Sequence, residues 1–102
     1  MLVKRNIKFA KLEKVANILK TISHPVRLDI LEILEHEEPL AVNIIRERIA
    51  IEVEQSMLSH HLAKMKDNGI LTSNKIGKHI YYRIAERDVL GIFDCLENCS
   101  IE

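Results

Sequence analysis

Ser56, Ser59, His60 and Lys64 share one side of an amphipathic segment that opens with Gln55. Wound at about 100° per residue, Leu58, Leu62 and Met65 lie within about 60° of each other and form a core-facing stripe. The opposite side carries Ser56, Ser59, His60, Ala63, Lys64 and Asp67, with Gln55 in the first turn. Gln, Ser and His both donate and accept hydrogen bonds, which suits base edges, whereas Lys suits phosphate. Small side chains at Ser56, Ser59 and Ala63 let such a helix approach a groove closely. An ordinary solvated face is the competing reading, but such a face is usually richer in Glu, and this one has none. A second polar cluster follows: Asn74, Lys75, Lys78, His79 and Arg83 surround Gly77 in a stretch with strand character. It reads either as a plain polar hairpin or as a basic wing that touches phosphates or the minor groove. The third candidate group is C-terminal. Cys95 and Cys99 are four residues apart, hence on one face of a helix.

These groups need elements to hold them. Leu12, Val15, Ala16, Leu19 and Ile22 recur at helical spacing and predict a first helix from about Lys8 to Ile22. Ser23-His24-Pro25 interrupts it, with Ser23 or His24 able to cap the next helix and Pro25 suited to its first turn. A second helix is predicted from about Val26 to His36, burying Leu28, Leu31, Ile33 and Leu34. After a Glu37-Glu38-Pro39 loop, a short third helix spans about Val42 to Ile49, and a fourth runs from about Gln55 to Asp67, ended by Asn68-Gly69. Ile70–Lys75 and His79–Ile84 read as two strands joined at Ile76-Gly77-Lys78, and a last helix runs from about Glu86 to Cys99. The expected fold is mainly α, of the winged-helix α+β kind: five helices with a two-stranded hairpin between the fourth and fifth. Residues 1–102 form one domain, with a helix-turn-helix over 40–67 and a wing over 70–84.

Composition narrows the function classes. The chain has 102 residues, 47% hydrophobic and 29% charged, as in an ordinary folded domain. Its net charge of zero argues at first against a nucleic-acid partner. The charges are segregated, however: +5 over residues 1–20, −5 over 21–54, +4 over 55–85 and −4 over 86–102. One basic face is compatible with overall neutrality. No apolar run is long enough for a membrane span and no secretory signal is evident, so a cytoplasmic location without membrane partners is expected. Two cysteines are too few for a disulfide framework. No nucleophile elbow, phosphate loop, catalytic carboxylate pair or zinc-enzyme signature appears, and no enzyme is expected.

Four stretches in order resemble the ArsR/SmtB repressor family. Residues 19–34, LKTISHPVRLDILEIL, are similar to its opening signature, and residues 55–62, QSMLSHHL, to its recognition helix. Residues 67–71, DNGIL, and residues 77–83, GKHIYYR, are similar to the segments that enter and close its wing. The resemblance covers roughly Val15 to Ile84. It implies a homodimer built from the first and last helices (1–22 and 86–102), bound to double-stranded DNA at an imperfect inverted repeat and released by an inducer, commonly a metal ion. By position it assigns DNA contacts to Gln55, Ser56, Ser59 and His60, and the wing to Lys75 and Lys78. His61, at the core edge, is expected to be structural, and Arg27 to form a structural ion pair or a phosphate contact. Glu54 departs from the family, which usually has Ser or Thr at that cap. A glutamate suits the helix dipole but repels a nearby phosphate.

The family's metal sites transfer poorly. Residues 40–45, LAVNII, lack the cysteines of the third-helix site, and the recognition helix has none. The remaining site lies on the last helix across the dimer interface. There this chain offers Glu86-Arg87-Asp88 and Cys99-Ser100-Ile101-Glu102 in place of the family's histidines, which makes Asp88, Cys99 and Glu102 candidates for a zinc-like divalent ion. Cys95 and Cys99 leave three readings open: apolar packing at a dimer interface, a redox or thiophilic-metal switch, or part of that metal site. Neighbouring Asp94 and Glu97 work against thiol reactivity. Two further functional readings remain: a winged helix that binds protein rather than DNA, and a DNA-binding regulator without a sensor.

Overall fold

The computed structural model describes residues 5–100. Helix α1 (Phe9–Ile22) leads into α2 (Pro25–His36), a two-residue strand β1 (Leu40–Ala41), α3 (Val42–Arg48) and α4 (Gln55–Asp67). Strands β2 (Leu71–Ile76) and β3 (His79–Ile84) form a hairpin, then a 3-10 turn (Arg87–Leu90) enters α5 (Gly91–Glu97). The core is one cluster in which α2 contributes Val26, Ile30, Leu31 and Leu34, α3 Ile45, α4 Leu58, Leu62 and Met65, and the sheet Leu40, Leu71, Tyr82 and Ile84.

Local chemistry sets the boundaries. His24, not Ser23, caps α2: its Nδ1 accepts the Val26 N–H at 3.1 Å, and Pro25 occupies a position whose N–H no helix needs. The end of α4 is a Schellman closure. Gly69 takes the left-handed conformation at φ 78°. Its N–H donates to the Lys66 carbonyl at 3.0 Å, and the Ile70 N–H reaches the Met65 carbonyl at 2.9 Å. Ile70 and Met65, the two side chains this closure brings together, are both fully buried. The Asn68 amide adds a bond to the Lys64 carbonyl at 2.8 Å.

Three expectations need correction. The sheet has three strands, not two, in the order β1-β3-β2, with Leu40 opposite Tyr82 and Ala41 opposite Tyr81. Two residues carry no period for a sequence to show; β1 exists because β3 offers it an edge. The buried face of α2 is Val26, Ile30, Leu31 and Leu34, while Leu28 and Ile33 are half-buried. This helix packs against several elements, so its apolar arc is wider than one stripe, and Leu28 turns toward Phe93 and Leu96 of α5. Finally, α5 begins after a 3-10 turn and ends at Glu97, where the Asn98 amide folds back onto the Asp94 carbonyl at 2.9 Å. Cys95 lies on the helix and Cys99 beyond it, so the pair does not share a helical face.

The loop before β1 is fastened to the end of the hairpin. Glu38 accepts the Ile84 N–H at 2.7 Å and the Arg87 guanidinium at 2.6 Å. Asp29 on α2 accepts the Ala50 N–H at 2.7 Å and so holds the turn between α3 and α4. Arg48 and Glu37 form a two-pronged pair at 2.7 and 2.9 Å, which draws the exposed Glu37 carboxyl below its ordinary pKa through the hydrogen bond from Arg48.

Candidate nucleic-acid interface

Helix α4 crosses the surface with one side in the core and the other bare. Leu58, Leu62 and Met65 are fully buried, as their spacing predicts. Gln55, Ser56, Ser59, His60, Ala63 and Lys64 are all exposed. Glu54 is the N-cap and makes no side-chain cap hydrogen bond, so the first N–H groups of α4 have no side-chain partner. This helix end, polarised positive by its own dipole, adjoins Gln55.

The hairpin stands beside it. Ile76 and His79 close the ladder, and the turn between them is Gly77-Lys78, with Gly77 at φ 63°, a conformation open to glycine at little cost. Asn74, Lys75, Lys78, His79 and Arg83 are exposed. The register divides them, because paired residues share a face and successive residues alternate. Thr72 pairs with Arg83, Asn74 with Tyr81 and Ile76 with His79, whereas Lys75 pairs with Ile80 on the other face, the one that Tyr82 and Ile84 bury. Arg83 and Lys75 therefore lie on opposite faces, Arg83 near the base of the hairpin and Lys75 near its tip, with Lys78 in the turn itself.

Tertiary structure joins the two clusters. Gln55 at the start of α4 and Lys78 and His79 at the wing tip line a single cleft of about 400 Å³, with Asn43 of α3 on its wall. Asn43 is exposed and was not singled out by its sequence context; one Asn after a two-residue strand has no distinguishing pattern. Glu37, Glu38 and Glu86 pair with Arg48, Arg87 and Lys14. Among the described residues, Lys64, Lys75, Lys78 and Arg83 have no carboxylate within ion-pair distance. Lys64 on α4 and Lys75 and Lys78 on the hairpin offer cations for phosphate around a polar helix face suited to base edges.

His61 is buried, as expected of a structural residue. Arg27 differs from expectation: it forms no ion pair among the described residues but donates through Nε to His61 Nδ1 at 3.0 Å and through a terminal nitrogen to the Thr21 carbonyl at 2.8 Å. Both groups can accept, so the guanidinium is satisfied without a carboxylate.

At the C-terminal end, Cys95 is exposed and Cys99 half-buried, both as free thiols. Asp88 is exposed in the 3-10 turn, and Glu102 lies outside the described residues. Among the described residues, no group of three or more His, Cys, Asp or Glu side chains is arranged to hold a metal ion.

Helix-turn-helix followed by a sheet whose hairpin flanks the second helix defines a winged helix-turn-helix. A helix-turn-helix domain family matches residues 22–74. The chain is 37% identical over 95 residues to the transcriptional repressor PagR of Bacillus anthracis, covering 92% of each chain. It superposes on the PagR crystal structure with a TM-score of 0.75 over 87% of this chain and 99% of that one. It is 35% identical over 83 residues to the biofilm growth-associated repressor of Xylella fastidiosa, covering 81% of this chain and 70% of that protein. A homodimeric winged helix-turn-helix DNA-binding domain from Mycobacterium bovis, a possible ArsR-family regulator, is 30% identical with a TM-score of 0.71, covering 95% of this chain and 87% of that one. The chain belongs to the ArsR/SmtB family of winged helix-turn-helix transcriptional repressors, whose members matched here are regulators rather than enzymes.

Proposed function

We propose that the protein binds an inverted-repeat operator as a homodimer, with α4 of each subunit in the major groove and the wing against the adjacent backbone. The observation that carries this reading is the shared cleft, in which Gln55 of α4 meets Lys78 and His79 of the wing. In this reading Gln55, Ser56, Ser59 and His60 face base edges, and Lys64, Lys75 and Lys78 neutralise phosphates.

Dimerisation has its own support. Phe9, Leu12, Val15 and Leu19 of α1 are 73%, 49%, 42% and 50% exposed, an apolar row that one subunit leaves uncovered. The row borders a groove of about 480 Å³ whose other wall is Val89 and Ile92. A second copy of the same surface covers both, in a two-fold arrangement that matches an inverted repeat. The Mycobacterium bovis relative is homodimeric. Regulation, in this reading, acts on the C-terminal segment: Cys95 is open to thiol-directed reagents, and Asp88, Cys99 and Glu102 remain the residue types for a zinc-like ion shared between subunits.

The test is fluorescence anisotropy of the reduced, metal-free protein on its own upstream DNA and on random DNA at two salt concentrations. Tight, salt-sensitive and sequence-selective binding supports the reading. Equal binding to both DNAs, or none, overturns it and favours a winged helix that recognises protein.

A further inference from the structure

Beneath the exposed face of α4 lies a polar contact that neither base readout nor phosphate binding uses. His61 is 5% exposed on a helix side otherwise made of Leu58, Leu62 and Met65. Arg27 Nε donates to His61 Nδ1 at 3.0 Å while another Arg27 nitrogen donates to the Thr21 carbonyl at 2.8 Å. The His24 ring lies 4.4 Å from the His61 ring, centroid to centroid, and is itself fixed by the Val26 N–H. One guanidinium thus gathers the end of α1, the first turn of α2 and the middle of α4. Arginine only donates, so the nitrogen facing it must offer a lone pair; a protonated imidazole carries N–H on both nitrogens and offers none.

We propose that the Arg27–His61 contact is a latch that positions α4 for DNA and holds only while His61 is neutral, so that operator affinity is lost as pH falls below neutrality. Arg27 and His61 act here as positioning residues, through the helix that carries Gln55 and His60. The inference rests on the DNA-binding reading above.

The surroundings supply no compensation for a proton on His61. From α2 it faces Arg27 and the capping His24, from α4 its neighbour His60 at 6.1 Å between ring centroids, and from α1 the Thr21 carbonyl through Arg27. No carboxylate is among these neighbours. Burial first, then His24, Arg27 and His60, hold the His61 pKa below its ordinary value. His60 and His79 are exposed outside this contact, so a variant at position 61 is needed to isolate the part played by His61.

The experiment compares wild type with His61→Asn on the same operator at fixed ionic strength between about pH 8 and about pH 5.5. Asparagine offers an amide oxygen near the place of Nδ1 and does not titrate. At about pH 8 the two should bind within about threefold of each other, the scale of one adjusted hydrogen bond. At the acidic end wild type should have lost a few-fold relative to the variant, with about tenfold as the ceiling because the His61 pKa lies below the ordinary histidine value. Parallel profiles overturn the latch. If circular dichroism shows the variant unfolded, NMR of wild type decides instead. The His61 ring should titrate below the usual histidine range, and the Arg27 Nε–H signal should shift at the same midpoint. An Arg27 signal indifferent to His61 protonation overturns the latch. Absence of selective binding by wild type at about pH 8 refutes the DNA-binding reading itself, while the NMR titration still judges the contact.

Discussion

Replacing Lys78 with alanine tests whether the wing lies on the DNA backbone. Lys78 sits at the turn of the hairpin, exposed and without a carboxylate partner among the described residues, and shares a cleft with Gln55. Each phosphate neutralised on duplex DNA contributes about 0.9 to the slope of log affinity against log salt. With Lys64, Lys75 and Lys78 engaged in both subunits, the slope should be about −5, and Lys78→Ala should make it shallower by about 1.8. Between about 50 and about 200 mM salt the variant should then lose about twelvefold less affinity than wild type does. The assay is anisotropy on operator and random DNA across that range. Because phosphate carries no sequence information, both DNAs should show the same change. Gln55→Ala is the contrasting variant: it should cost about 1–3 kcal/mol on the operator, little on random DNA, and leave the slope unchanged. A Lys78→Ala slope equal to that of wild type would refute the placement of the wing, whatever the loss in affinity.

The remaining expectations concern the scaffold. Gly69→Ala meets no atom within 4 Å of the added Cβ, so its cost is that of the left-handed backbone alone. That is about 1–2 kcal/mol, visible as a fall in Tm of roughly 4–8 °C per kcal/mol; an unchanged Tm would show that the closure of α4 is not under that constraint. Leu19→Glu puts a charge into the apolar row of α1 and should convert the homodimer to monomer in light scattering; a dimer of unchanged stability would move the interface elsewhere. Thermal stability should fall as pH drops below 6.5, the ordinary value of histidine, because the depressed pKa of buried His61 lets the unfolded chain take up the proton first, and the loss should level off below the folded-state pKa. His61→Asn should flatten that part of the curve. Cys95, exposed, should react with iodoacetamide faster than half-buried Cys99, with mass spectrometry of the two peptides as the readout; equal rates would mean that the C-terminal segment opens readily.

Local patterns carried much of this protein. The bounds of α4, the Asn68-Gly69 stop, the hairpin turn at Gly77-Lys78 and the buried trio Leu58, Leu62 and Met65 follow from helical period and cap chemistry, which act over a few residues and are written in adjacent letters. The candidate readout residues followed for the same reason, since a face of α4 is a matter of angle along one helix. Tertiary structure decided what depends on distant partners. Strand β1 needs the edge of β3, the end of α5 depends on Asn98 turning back, and the burial of Ile30 in place of Leu28 and Ile33 depends on which elements surround α2. Arg27 finds a histidine nitrogen 34 residues away where the sequence suggested a carboxylate. Gln55 and Lys78 become neighbours across a cleft only when the wing folds back beside α4. Long-range pairing rests on shape and on the satisfaction of each donor, and those conditions are met in three dimensions, not along the chain.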